Sequence, residues 1–181
     1  MKNYFGIAFL LLICDPCYCQ PTQSVTFGID YSITSANFGA TKSGIGGSAD
    51  YQIKFNAPVG LQFHIGYSHF KNKVLSNDVV NFLPVRAGVV GFLYQDVIFI
   101  FADAGISHYS ASSGTKQNGF SFGIGPGYKL YFNPDKKQFL QLSAYFNLHH
   151  FYSNYSGGYN YTWFNIRAAY GLSFSKKPIE K

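Results

Sequence analysis

The chain has 181 residues, a length that suits one domain, with 47% hydrophobic and 19% aromatic residues. Only 12% are charged, about half the roughly 25% of ordinary soluble domains, and the eight acids include a single glutamate, Glu180. A formal net charge of +6 is spread along the chain rather than gathered into a patch, which argues against a nucleic-acid binder, and the shortage of Glu and Lys argues against a water-facing exterior.

Residues 1–19, "MKNYFGIAFLLLICDPCYC", carry one early lysine, Lys2, then an apolar stretch from Tyr4 to Cys14 and a turn-prone segment ending in small residues. This is the layout of a secretory signal peptide, too short to cross a bilayer as a helix, which takes about 20 residues. Cleavage is expected after Cys19. A lipoprotein signal is the rival reading, but it would want a small residue before the lipidated cysteine, and Ile13 stands before Cys14. The mature chain then has no cysteine, so an exported protein relies on its sheet rather than on disulfides. Beyond residue 20 there is no apolar run of the roughly 18 residues a membrane helix needs, which excludes a helical membrane protein.

From there a period of two governs the chain. Val25, Phe27, Ile29, Tyr31 and Ile33 alternate with polar residues and glycine, and residues 45–67, "IGGSADYQIKFNAPVGLQFHIGY", read as a hairpin turning at "NAP". "FLPVRAGVVGFLY" and "VIFIFADAGISHY" follow, then "GFSFGIGPGYKLYF", "FLQLSAYFNLHHF" and "YTWFNIRAAYGLSF". The count is eight strands of about 10 to 14 residues, long enough for a tilted strand to span a bilayer. The links alternate in length. "NAP" (56–58), "QD" (95–96) and "NPDKKQ" (133–138) are short, whereas 34–44, 71–81, 110–118 and 152–160 are longer and rich in Ser, Asn and Gly.

This pattern predicts an all-β protein, an eight-stranded antiparallel up-and-down transmembrane barrel over 20–174 with a short basic periplasmic tail at 175–181. Loops near Lys42, Asn77, Thr115 and Gly157 are expected outside, and Ala57, Asp96 and Asp135 in the periplasm. If the apolar rows face lipid, the inward register holds Asp30, Asp50, Lys54, His64, Arg86, Asp103, Lys129, His149 and Arg167. These are expected to form a polar network in the lumen, with Arg86 paired to Asp103 and Arg167 to Asp30, since unpaired charges there would cost several kcal/mol each. Arginine introduced at Ile124 or Leu142 should then be costly, and at Ser121 or Ser143 cheap. A lipocalin-type soluble barrel has the same alternation with faces exchanged, but its exterior would be a belt of Phe, Tyr, Ile and Leu.

The motifs "PVRAG" (84–88), "ADAG" (102–105) and "GIGPGYK" (123–129) resemble those of the small outer-membrane β-barrel family related to outer-membrane protein X. The resemblance covers about residues 24 to 174. It implies an integral protein of a Gram-negative outer membrane with no uniform biochemical activity and roles in adhesion, stress resistance or surface interaction. Lipid and lipopolysaccharide are the implied surroundings of a monomer. "RAAYGLSF", ending in Phe174, resembles the C-terminal signal read by the barrel-assembly machinery, although here "SKKPIEK" follows it.

"HHFYSN" (149–154) loosely resembles the His-and-Ser element of outer-membrane lipid A deacylases, but a serine hydrolase needs a Ser–His–acid arrangement and no glutamate lies in the barrel. The bland reading puts His149 in the lumen and His150 in the outer interface belt. His64, His69, His108, His149 and His150 are spread over three strands without short-spaced ligand groups, a weak metal signal. Neither catalytic residues nor a cofactor or metal is expected, and "GIGPG" sits within a strand rather than before a helix, so it is no phosphate loop. Lys136, Lys137, Lys176, Lys177 and Lys181 gather at the periplasmic end, where anionic headgroups or solvent would meet them. A non-enzymatic structural or surface-interaction barrel is the leading reading, ahead of a narrow channel and a lipid A-modifying enzyme.

Overall fold

The computed structural model describes residues 22–35, 43–55, 57–71, 79–94, 96–153 and 157–174. The signal peptide expected over 1–19, the tail over 175–181, and the loop positions Lys42 and Asn77 lie outside the described residues. Eight strands follow in chain order: β1 (Thr22–Thr34), β2 (Ser43–Lys54), β3 (Val59–Lys71), β4 (Val79–Tyr94), β5 (Ile98–Ala111), β6 (Lys116–Tyr131), β7 (Gln138–Ser153) and β8 (Gly157–Phe174). Each is antiparallel to the next, and β1 pairs with β8 as well, Asp30 lying opposite Arg167 and Phe27 opposite Tyr170. The sheet therefore closes without an unpaired edge, as an eight-stranded transmembrane barrel.

The alternation in sequence becomes the two faces of the wall. Phe27, Ile29, Ile45, Val89, Leu93, Ile106 and Ile166 are all more than half exposed, part of a belt of apolar side chains that runs round the barrel. Water does not tolerate so wide an apolar belt, whereas acyl chains do. The alternate positions point inward and are buried. Prolines interrupt the ladder without ending the strands: the β3–β4 register breaks off between Ile65–Val85 and Ser68–Phe82 beside Pro84, and the β6–β7 register between Ile124–Phe146 and Gly127–Ser143 beside Pro126. A residue with no N–H donor removes a rung at each place.

Three tight links close one end. Phe55 N–H donates to the Val59 carbonyl (3.1 Å), Val97 N–H to that of Tyr94 (2.7 Å), and Phe132 N–H to that of Gln138 (3.0 Å). Asp96 (φ 67°) and Lys136 (φ 54°) supply the left-handed residues that the second and third links need. At the other end the strands outrun the sequence expectation. Residues 79–81, 110–111, 116–118, 152–153 and 157–160, read as loop, belong to β4, β5, β6, β7 and β8. The apolar period fades there because outward residues such as Asn81, Ser110, Lys116, Asn118 and Asn160 are polar, yet backbone pairing continues.

Aromatic rings occupy the space over inward glycines. A Cβ on Gly127 would collide with the Phe99 ring, and one on Gly171 with the Phe139 ring. Those glycines are required because a neighbouring strand's ring fills the space over them. Gly127→Ala should therefore destabilise the barrel by about 1–3 kcal/mol, the usual cost of overpacking, read from the urea midpoint of protein refolded into lipid vesicles. An unchanged midpoint would mean that Phe99 is free to move aside.

Candidate functional site: the filled lumen

Asp30, Asp50, His64, Arg86, Asp103, Lys129, His149 and Arg167 are buried within the barrel, while Lys54 is half-buried at the turn-side mouth. Arg86 and Asp103 meet as an ion pair, Nε to Oδ1 3.0 Å, with neither side chain exposed. They reach each other diagonally, since Arg86 is opposite Gly105 and Asp103 opposite Gly88 in the register. Gly123 on β6 leaves room for the pair: a Cβ there would sit 2.5 Å from Asp103 Oδ1 and 2.8 Å from Arg86 Nη1.

Arg167 departs from the expected partner. Asp30 is its register neighbour, but the guanidinium crosses β1 and pairs with Asp50 on β2. Gly28 makes this crossing possible, because a Cβ there would lie 2.8 Å from Arg167 Nε. Arg167 Nη2 also donates to Thr26 Oγ1 (3.3 Å) and the Ser48 carbonyl (3.2 Å), and the other Asp50 oxygen accepts from His64 Nδ1 (2.7 Å). Asp30 accepts instead from Ser48 Oγ and Tyr145 OH, the latter at 2.7 Å. Tyr145 OH accepts from Asn165 Nδ2 (2.9 Å), whose Oδ1 accepts from Ser32 Oγ (2.6 Å).

A second chain of donors runs toward the turns. Arg86 Nη1 donates to Asn147 Oδ1 (2.7 Å), Gln62 Nε2 to Asp103 Oδ2 (3.2 Å), Gln52 Nε2 to Gln62 Oε1 (2.8 Å), and Lys129 Nζ to Gln52 Oε1 (2.7 Å). Lys129 sits in an aromatic cage, its ammonium 5.3, 5.4 and 4.8 Å from the ring centres of Phe92, Phe99 and Phe139. Lys54 pairs with Asp96 in the turn between β4 and β5, capping this end.

Aromatic packing holds both ends of the network. At the loop end Phe70, Phe82, Phe151 and Trp163 form a buried cluster against which Val80, Tyr109 and Tyr161 pack. His149 belongs with this cluster, its ring stacked on Trp163 at 4.3 Å and 10°. Toward the turns Val90, Phe92, Phe99, Phe101 and Tyr145 form another. These aromatic layers lie in a lumen for which the sequence predicts polar contents. The signal was present in the inward register itself, where Phe92, Phe99 and Phe101 share a face with Arg86 and Asp103.

Among the described residues this arrangement packs the interior and pairs its charges. His64 Nδ1 is engaged by Asp50 rather than poised beside a nucleophile. His149 and His150 point to opposite faces, inward onto Trp163 and outward to Asn160 Oδ1 at 2.7 Å, so they cannot act together on one serine. Asn154, the last residue of "HHFYSN", lies outside the described residues.

No protein-family model and no curated protein sequence matches the chain. Solved structures match the fold. Neisserial surface protein A aligns with a TM-score of 0.59 at 16% identity, covering 84% of this chain and 97% of that one. Ail, the attachment invasion locus protein of Yersinia pestis, aligns at 0.59 and 17%, covering 84% and 99%. The outer membrane protein OprG of Pseudomonas aeruginosa gives 0.53 and 8%, covering 87% and 98%. The chain has the fold of the small eight-stranded outer-membrane barrels, the kind to which the resemblance with outer-membrane protein X pointed.

Proposed function

We propose that this chain is a non-enzymatic integral barrel of a Gram-negative outer membrane that acts at its loop face and does not conduct through its interior. The observation that carries this reading is the closed lumen, with Phe70, Phe82, Phe151 and Trp163 packed at one end, the Lys129 cage at the other, and paired charges between. An eight-stranded interior is just wide enough to be filled by side chains. Support for a surface role comes from neighbours named as a surface protein and as an attachment invasion locus protein, the latter also solved with the heparin analogue sucrose octasulfate. In this reading the signal peptide is removed after Cys19, the strand ending at Phe174 addresses the barrel-assembly machinery, and the mature protein is a monomer surrounded by lipid and lipopolysaccharide.

Conductance across planar bilayers tests the closed lumen. Current should stay at background for the parent and rise only after several lumen side chains are shortened; a steady current through the unmodified protein would promote the channel reading. Orientation is tested separately. A cysteine at Thr115 should react with an impermeant thiol reagent on intact cells and one at Asp96 should not. The reverse labelling would sink the topology.

A further inference from the structure

Three of the five histidines lie on the outward face, each paired across a hairpin with an asparagine. His69 Nδ1 meets Asn81 Oδ1 at 2.9 Å, His108 meets Asn118 at 2.8 Å, and His150 meets Asn160 at 2.7 Å. The pairs fall on β3–β4, β5–β6 and β7–β8, each near the loop-side end of its strands and one step beyond the outward residues Tyr67, Ile106 and Leu148. They therefore line the loop-side rim across β3 to β8. Alternate hairpins place neighbouring pairs about 10 Å apart, twice the strand spacing.

The chemistry of each pair is the same. An amide oxygen only accepts, so the imidazole proton is on Nδ1, Nε2 is the basic nitrogen, and the amide NH2 keeps two donors. The Tyr67 hydroxyl donates to the same Asn81 oxygen (2.7 Å), fixing that amide further. Lys71 is two residues beyond His69 on its face, and Lys116 two residues before Asn118, both exposed. Among the described residues no carboxylate shares this rim: Asp30, Asp50 and Asp103 are inside the barrel, and Asp96 and Asp135 lie in the turns at the far end.

The geometry points to a phosphate-binding girdle, formed by the pairs His69–Asn81, His108–Asn118 and His150–Asn160 with Lys71 and Lys116, that holds the phosphorylated headgroup of lipopolysaccharide. It rests on the proposed orientation, with loops facing out. Lipopolysaccharide is the occupant because one molecule matches both surfaces, acyl chains against the belt and lipid A phosphates at the rim. A phosphate at the rim accepts from the asparagine NH2 groups and the Lys71 and Lys116 ammoniums, and also from Nε2 of each imidazole once that nitrogen has taken a proton from solvent.

Equilibrium binding of lipid A to the full mature protein in mixed micelles tests this, with compact mobility of the unheated protein on gels as the folding control. The parent should bind phosphorylated lipid A about tenfold or more tighter than dephosphorylated lipid A, and His69→Gln/His108→Gln/His150→Gln should remove most of that preference. Lys71→Gln and Lys116→Gln should each cost about fivefold. Restoring permanent charge with His→Arg at the three positions should restore the preference. Equal affinity of the parent for the two lipids would overturn the girdle, as would full competition by inorganic phosphate, which would make the rim a site for the free anion. If Thr115→Cys is still labelled from outside, either failure would leave the proposed function standing.

Discussion

Arg167→Met should destabilise the barrel by about 3–5 kcal/mol, the cost of removing one partner of a buried ion pair. The loss comes from what stays behind. Asp50, 4% exposed, would keep His64 Nδ1 at 2.7 Å but lose the guanidinium that balances it, and the Ser48 carbonyl would lose a donor. Adding Asp50→Asn should recover part of the loss, since the stranded charge is gone even though the ion pair is gone too. Asp103→Ala should behave in the same way toward Arg86: alone it strands a buried guanidinium that retains Asn147, and combined with Arg86→Met it should cost less. Urea unfolding of the single and double variants in lipid vesicles gives the coupling. Additive losses in both cycles would mean that these charges are hydrated and the lumen is open.

What could be read from sequence was whatever has a period of two, and what could not was whatever crosses a strand. The inward register of Arg167 follows from alternation, as does its position opposite Asp30. Its partner does not, because the choice of Asp50 depends on Gly28 leaving space above β1 and on Tyr145, from β7, occupying Asp30. Lys129 was legible as an inward cation, but the cage of Phe92, Phe99 and Phe139 comes from three strands and needed the closed barrel to assemble it. The strand ends were missed for a related reason. Alternating hydrophobicity reports lipid contact, so it stops where lipid stops, while pairing continues through His108–Asn118 and His150–Asn160. The residues that looked like loop on composition are thus the ones that place the histidine pairs at the rim.

Arginine in the middle of the outward belt should show the second large effect. Ile124 and Leu142 lie outward on β6 and β7, 42% and 43% exposed, where burying a guanidinium among acyl chains costs roughly 2–4 kcal/mol near the midplane. The comparison expected from sequence, arginine at the inward Ser121 or Ser143, does not give a cheap control: Ser121 is fully buried and Ser143 nearly so, in a lumen already filled by rings and ion pairs. A new arginine there would overpack it, at a cost of about 1–3 kcal/mol that overlaps the range to be distinguished. Depth along one face separates the effects. Tyr152 is outward on β7 like Leu142 but at the loop-side end and 76% exposed, so Tyr152→Arg should cost about 0–1 kcal/mol where the headgroup region begins. Unfolding free energies of Leu142→Arg and Tyr152→Arg in vesicles should differ by the greater part of the midplane penalty. Equal values would mean that the belt is not graded by a bilayer, and with it would fall the assignment of the outward face to lipid.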